Sequence, residues 1–475
     1  AEELSRETLK IYRDLVEKNP DAYLPDLALG CNNLATLLYN TGSFKEAEEL
    51  SRETLKIYRD LVEKNPDAYL PYLARSCNNL ADLLCNTGFF KESEELHREA
   101  LKIYRDLVEK KPDAYLPDLA TSCNNLATLL YNTGSFKEAE ELLQESLKIL
   151  RELSEKYPDA YLPNLATSCN NLASFLRDTG SFREAEELHR EALKIRRELA
   201  EKNPDAYLPN LATSCNNLAS FLRDTGSFRE AEELHREALK IRRELAEKSP
   251  DAYLPDLAIS CNNLAYLLSD TGSSKEAKEL YREALKSRRK LAEKNPDAYL
   301  PSLAASCNNL ACLLSDTGSS KEAEELYREA LKIRRELAEK NPDAYLPILA
   351  DSCNNLAYLL SDTGSSKEAE GLYREALKIH RELAEKNPDA YLPDLAISCN
   401  NLANLLSDIG SFKEAEELYQ EALKIRRNLA EENPKVYLPK LQLVCDNLTA
   451  LLEKTGRREE ADNLRREVAE FFKLQ

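Results

Sequence analysis

Between residues 25 and 40 the apolar side chains fall at Leu27, Cys31, Leu34, Ala35 and Leu38, with polar residues between them. Spacings of i, i+4 and i+7 predict a helix with one buried face. Pro25 suits the first turn, where its missing N–H is not needed. Asn40-Thr41-Gly42 ends this helix, because glycine can take the left-handed cap. Ser43 and Glu46 then have the spacing of a capping box and open a second helix. Its apolar stripe is Phe44, Ala47, Leu50, Thr54, Ile57 and Leu61, and it ends at Asn65-Pro66. The pattern therefore predicts a helical hairpin of about 17 and 22 residues joined by a tight turn, and no strand.

The same hairpin recurs along the whole chain. CNN or CDN occurs with its cysteine at 31, 77, 123, 169, 215, 261, 307, 353, 399 and 445, a constant step of 46 residues. All 20 prolines occupy two points of that period, and ten of the 12 glycines a third, leaving Gly30 and Gly371. Residues 161–202 recur unchanged at 207–248, which reads as a recent duplication. One hairpin cannot bury its stripe alone, so neighbours are expected to stack. The expected organisation is one continuous solenoid. Residues 1–19 form a partial repeat, second helix only, and residues 20–475 form ten tandem repeats. The last repeat diverges at Asp446 and Arg458 and reads as a cap. Ala1 aligns with Ala47, so the start is expected to be that of a piece of a longer chain, with an open apolar end.

Asn33-Leu34-Ala35, Gly42, Phe44, Ala47 and the later Glu329-Ala330-Leu331 resemble the tetratricopeptide repeat. The longer period and the NPDAYLPDLA linker are similar to kinesin-light-chain-type repeats and prokaryotic arrays of them. That resemblance implies an all-α fold, a right-handed α-α superhelix, acting as a scaffold for protein segments rather than as an enzyme.

Composition narrows the function. Asp and Glu number 84 against 65 Lys and Arg, a net charge of -19. Nucleic acid and anionic membrane surfaces both need clustered basic charge and are not expected as partners. No apolar run approaches the ~18–20 residues of a membrane span. A cytoplasmic location is expected, because 12 cysteines with no disulfide framework suit a reducing compartment.

Little unusual chemistry is left over. The ten repeat cysteines lie on the buried stripe of the first helix and read as small core residues. Only Cys85 and Cys312 fall on its open face. His97, His189 and His235 share a slot with Ser51, Leu143, Tyr281, Tyr327 and Tyr373, and read as packing residues. Where Phe44 becomes Ser274, Ser320 and Ser366, the tyrosine at that slot is expected to fill the space. Charges on the second helix, such as Glu324 with Arg328 and Glu336 with Lys340, are expected to pair locally on a solvated face. No catalytic, metal or cofactor site is expected, since no phosphate loop, GxSxG, HExxH or CxxC occurs.

The open face of the first helix is the candidate site. By the family resemblance, Asn33, Asn79, Asn125, Asn171, Asn217, Asn263, Asn309, Asn355, Asn401 and Asn447 line the concave channel and bond the backbone of an extended peptide. An amide offers donors and an acceptor, so it can read a peptide unit whatever its sequence. Bridging between adjacent repeats is the other role open to these residues. The preceding row, Asn32 to Asn400, is expected to double the polar track. Flanking positions vary as a specificity surface would: Tyr39 and Tyr131, then Arg177 and Arg223, then Tyr266 and Tyr358. Asp270, Asp316, Asp362 and Asp408 favour a basic segment, although solvated variation would give the same pattern. Two rivals stay open: a self-assembling element joined end to end through the N-terminal repeat, and a sensor array that gates an attached domain.

Overall fold

The computed structural model describes residues 2–474, and among them every regular element is an α-helix. The chain divides into two compact units, Ala1–Pro250 and Asp251–Gln475. In the first, α1 (Glu2–Lys18) is followed by α2 (Pro20–Asn40), α3 (Phe44–Lys64), α4 (Pro66–Asn86), α5 (Phe90–Lys110) and α6 (Pro112–Asn132). It continues through α7 (Phe136–Lys156), α8 (Pro158–Asp178), α9 (Phe182–Lys202), α10 (Pro204–Asp224) and α11 (Phe228–Lys248). The second holds α12 (Pro250–Asp270), α13 (Ser274–Lys294), α14 (Pro296–Asp316), α15 (Ser320–Lys340) and α16 (Pro342–Asp362). It ends with α17 (Ser366–Lys386), α18 (Pro388–Asp408), α19 (Phe412–Glu432), α20 (Pro434–Lys454) and α21 (Arg458–Leu474). Each unit is an all-α solenoid of hairpins, even-numbered helices coming first in each repeat and odd-numbered helices second.

The first helix starts five residues earlier than the apolar spacing predicts. Asn19 takes the N-cap and Pro20 the N1 position, so Pro25 stands inside the helix instead of opening it. A proline after an N-cap asparagine is a stronger start signal than one that follows a helix-compatible stretch. Gly42, at φ +85°, provides the left-handed residue, and Ser43 N–H reaches back to the Leu38 carbonyl at 2.9 Å. That closes the orphan carbonyls as a Schellman motif does.

The capping box does not form. Ser43 is the N-cap of α3 but makes no side-chain cap bond. Glu46 instead takes both ends of the Arg6 guanidinium, with Nη2 donating to Oε2 at 2.7 Å. Arg6 holds that carboxyl below the usual range. The pairing repeats as Arg52–Glu92, Arg98–Glu138, Arg190–Glu230, Arg328–Glu368 and Arg374–Glu414. A second track runs beside it, for example Arg59–Glu99 and Arg197–Glu237 at 2.7 Å. Every one of these partners is 40 residues away, on the next second helix. Local pairing survives at Glu324 with Arg328, whereas Lys340 reaches Asp297 at 2.8 Å rather than Glu336. The charged surface of the second helices is thus mostly an inter-repeat connection.

The core is the expected stripe, with one correction. Cys31, Leu34, Ala35 and Leu38 pack against Ala47, Leu50, Ile57 and Leu61, all buried. Phe44 is exposed, as are Phe90, Phe136, Phe182 and Phe228. It sits at the first position of the helix, on the turn edge, where the Tyr39 ring meets it edge-on. The expected exchange of Phe for Tyr also fails, since α19 carries both Phe412 and Tyr419.

Candidate functional site

Burial separates the two asparagine rows in part, since only the first row has buried members. Asn33, Asn171 and Asn309 are exposed, and the other seven of the second row are half-buried. All ten therefore lie at the open edge of the first helices, one per repeat. Successive first helices touch directly, as α4 does α6 and α6 does α8, so this face is the tighter side of the stack. In four repeats the amide is partly engaged. Asn79 Nδ2 donates to Asn32 Oδ1 at 2.8 Å, Asn355 to Asn308 at 3.0 Å and Asn447 to Asn400 at 2.9 Å. Asn125 donates to Asp82 Oδ2 at 3.3 Å. Asn33, Asn171, Asn217, Asn263, Asn309 and Asn401 make no side-chain hydrogen bond among the described residues, which leaves both ends of each amide open.

The preceding row does not double the track along its whole length: Asn32, Asn124, Asn262 and Asn308 are half-buried, and the other five, Asn78, Asn170, Asn216, Asn354 and Asn400, are buried. Asn78 Oδ1 lies 3.0 Å from His97 Nδ1, Asn170 Oδ1 the same distance from His189, and Asn216 Oδ1 2.9 Å from His235. Asn170 Nδ2 donates to Ser214 Oγ at 2.9 Å, and Asn124 Nδ2 to Ser146 Oγ at 2.8 Å. One residue of rotation, about 100° on a helix, turns this row into the hairpin, where a polar group must find a partner.

The flanking candidates separate into two kinds. Tyr39 and Tyr131 span to the next repeat: the Tyr39 hydroxyl accepts from Asn86 Nδ2 at 2.7 Å, and the Tyr131 hydroxyl bonds Asp178. Arg177 Nε donates to Asp178 at 2.8 Å and Arg223 Nη2 to Asp224 at 2.7 Å, so each cation is neutralised by its sequence neighbour. Tyr266 and Tyr358 instead stand out from the face, 49% and 68% exposed. Asp270, Asp316, Asp362 and Asp408 are exposed on the same side, with no ion pair among the described residues.

Two features lie outside the expected set. One is a column of buried guanidinium groups. Arg196, Arg334 and Arg426 are at most 8% exposed, and burial lowers the pKa of each. Arg196 Nη2 donates to Thr167 Oγ1 at 2.6 Å, and Arg288 Nη1 to Ser306 Oγ at 2.6 Å, so hydroxyls rather than carboxylates receive them. The register held the signal: the same column is Tyr58, Tyr104 and Leu150 in earlier repeats. The other feature is a cavity of about 230 Å3 between α2 and α4.

No three His, Cys, Asp or Glu side chains stand together as metal ligands among the described residues. The repeat cysteines are buried and in no disulfide, and burial pushes Cys31, Cys77 and Cys215 up to about 12. They are inert as nucleophiles at neutral pH. No described helix is long and apolar enough to cross a membrane.

No curated protein sequence matches the chain. Among solved structures it is similar to BtubC (BKLC) from P. vanneervenii, with 25% identity, a TM-score of 0.43, and 51% of this chain and 90% of that one covered. It is also similar to nearly identical TPR-like repeats of a kinesin light chain from Podosopora anserina. There the identity is 24%, the TM-score 0.37, and coverage 47% of this chain and 98% of that one. Models of the tetratricopeptide repeat match residues 27–67, 72–152, 118–198, 164–244, 210–290, 303–343 and 354–428. With ten hairpins in one register and more than half of its length matched in this way, the chain belongs to the tetratricopeptide-repeat family.

Proposed function

We propose that this protein is a non-enzymatic scaffold that binds an extended peptide or disordered protein segment along the open face of its first helices, with the Asn33-to-Asn447 row as the backbone contact. Tetratricopeptide repeats mediate protein–protein interaction and are typically non-enzymatic scaffolds, which is the general ground for the reading. The observation that carries the specific version is the separation of the two rows. In five repeats the first asparagine of the pair is buried, while the second stays at the open edge in all ten, six of them with an unengaged amide. The line of unpaired aspartates in Asp251–Gln475 adds a preference for Lys or Arg in the bound segment.

Each amide contact contributes only about 0.5–1.5 kcal/mol net, so affinity must accumulate over several repeats. The test is selection of binders from a random peptide display library on the purified protein, then fluorescence anisotropy with a selected peptide. Asn171→Ala combined with Asn217→Ala should weaken binding by about tenfold or more. Neither substitution removes an intramolecular hydrogen bond, so the thermal midpoint should hold. Selected peptides with undiminished affinity for the double variant would refute the ladder.

A further inference from the structure

The position of Ser51 on α3 is filled by a larger side chain in the eight repeats that follow. Its equivalents are His97, Leu143, His189, His235, Tyr281, Tyr327, Tyr373 and Tyr419, all buried. These side chains plug the gap between their own second helix and the groove-facing end of their first helix. The Tyr327 hydroxyl reaches Cys312 Sγ at 3.0 Å, and Tyr419 bonds Asn404 Oδ1 at 2.5 Å. Both contacts lie at the column that holds Thr36 in the first repeat. Serine is too short to make that plug, and the gap stays open as the cavity of about 230 Å3, floored by Ala47 and Ser51 and entered from the open face.

Its walls are fixed in place. The Tyr39 ring meets Phe44 edge-on at 5.7 Å between centroids, and its hydroxyl accepts from Asn86. Asn79 and Asn32 are bonded to each other across the rim. Asp82 closes the far side, its Oδ2 accepting from Asn125 at 3.3 Å and its Oδ1 lying 3.4 Å from His97 Nε2. Neither lysine nor arginine pairs with it among the described residues. The pocket is thus an apolar slot, lined by Ala35, Ala47 and one aromatic face, with a carboxylate acceptor at its mouth.

We infer that this slot receives the aromatic ring of a tyrosine from the bound segment. The occupant is the one the protein itself uses at the same position in its later repeats, supplied here from outside. An apolar body matches the floor, and a hydroxyl tip can donate to Asp82. The inference rests on the groove reading above for the source of the ring, but its geometry is independent of the asparagine row.

The test uses p-cresol, the tyrosine side chain alone, with ligand-observed saturation-transfer NMR and a crystal soak. The parent protein should bind p-cresol between α2 and α4. Ser51→Tyr, which rebuilds the plug of Tyr327, should abolish that binding without lowering the thermal midpoint. Ser51→Leu, copying Leu143, serves the same purpose if the tyrosine variant folds poorly. Binding that persists in the filled variants, or a parent that binds no p-cresol, would overturn the inference. Asn171→Ala with Asn217→Ala lies repeats away and should leave p-cresol binding unchanged. Loss of peptide affinity in that variant alone would therefore uphold the groove while the pocket is judged separately.

Discussion

Replacing His189 and His235 together by leucine, the residue at the equivalent Leu143, should remove a large part of the acid sensitivity of Ala1–Pro250. Asn170 spends its Nδ2 on Ser214, so its Oδ1 must accept from His189, and the ring proton sits on Nδ1. Nε2 of each ring is then a bare nitrogen with no partner. Protonation there would create a buried cation with an unpaired donor. Burial first, then Arg177 beside His189 and Arg223 beside His235, lowers both to about 4. The unfolded value is about 6.5, so between those limits the unfolded chain binds more protons than the folded one. The stability contributed by the neutral rings is complete above about pH 6.5 and is lost as the pH falls toward about 4. From about pH 7 to about pH 5 the loss works out at about 2 kcal/mol per ring. Urea denaturation followed by circular dichroism at both pH values reads it directly. At neutral pH the double variant should itself be weaker by about 1–2 kcal/mol per site, because Asn170 and Asn216 lose a partner. The decisive quantity is the difference across pH, which should shrink by about 4 kcal/mol in the variant. A variant that loses as much stability on acidification as the parent would refute the reasoning.

Two other outcomes follow from the geometry. Arg190→Gln, which copies the natural Gln144 of the preceding repeat, should cost at most about 1 kcal/mol despite removing a bidentate pair, and the cost should shrink in high salt, as paired urea melts would show. Ellman's reagent on the native protein should label exposed Cys312 first and half-buried Cys85 more slowly, leaving the ten repeat cysteines silent until denaturant is added. A repeat cysteine that reacts as fast as Cys312 would contradict the core placement.

The period, the helix content and the buried stripe were legible because each is written ten times, and copying turns a weak local signal into a register. Boundaries were less so. Pro25 looks like a helix start when taken alone, and only the competition with Asn19-Pro20 decides otherwise. The inner asparagine row reads as a second open track because two adjacent polar residues look alike in sequence, although five of its members are buried in the hairpin. Glu46 has the spacing of a cap, yet an arginine 40 residues back, invisible to any local pattern, claims it. The buried arginines were readable only by column, through Tyr58, Tyr104 and Leu150. The Ser51 cavity is a contrast between repeats, since a serine reveals a hole only beside eight larger side chains at the same point.

The arginine–glutamate connections also bear on how such a chain can lengthen. Most 46-residue modules carry a glutamate that answers the module before and an arginine that reaches for the module after, Gln144 and Gln420 being the exceptions on the first track. Arg190 belongs to the segment 161–202, and its partner Glu230 to the identical copy at 207–248. An in-frame gain or excision of one module like 161–202 therefore leaves its junctions with both partners and each apolar stripe with a neighbour. Array length can change in a single genetic step with no compensating substitution, while a change of any other size would sever the tracks on both sides of the lesion.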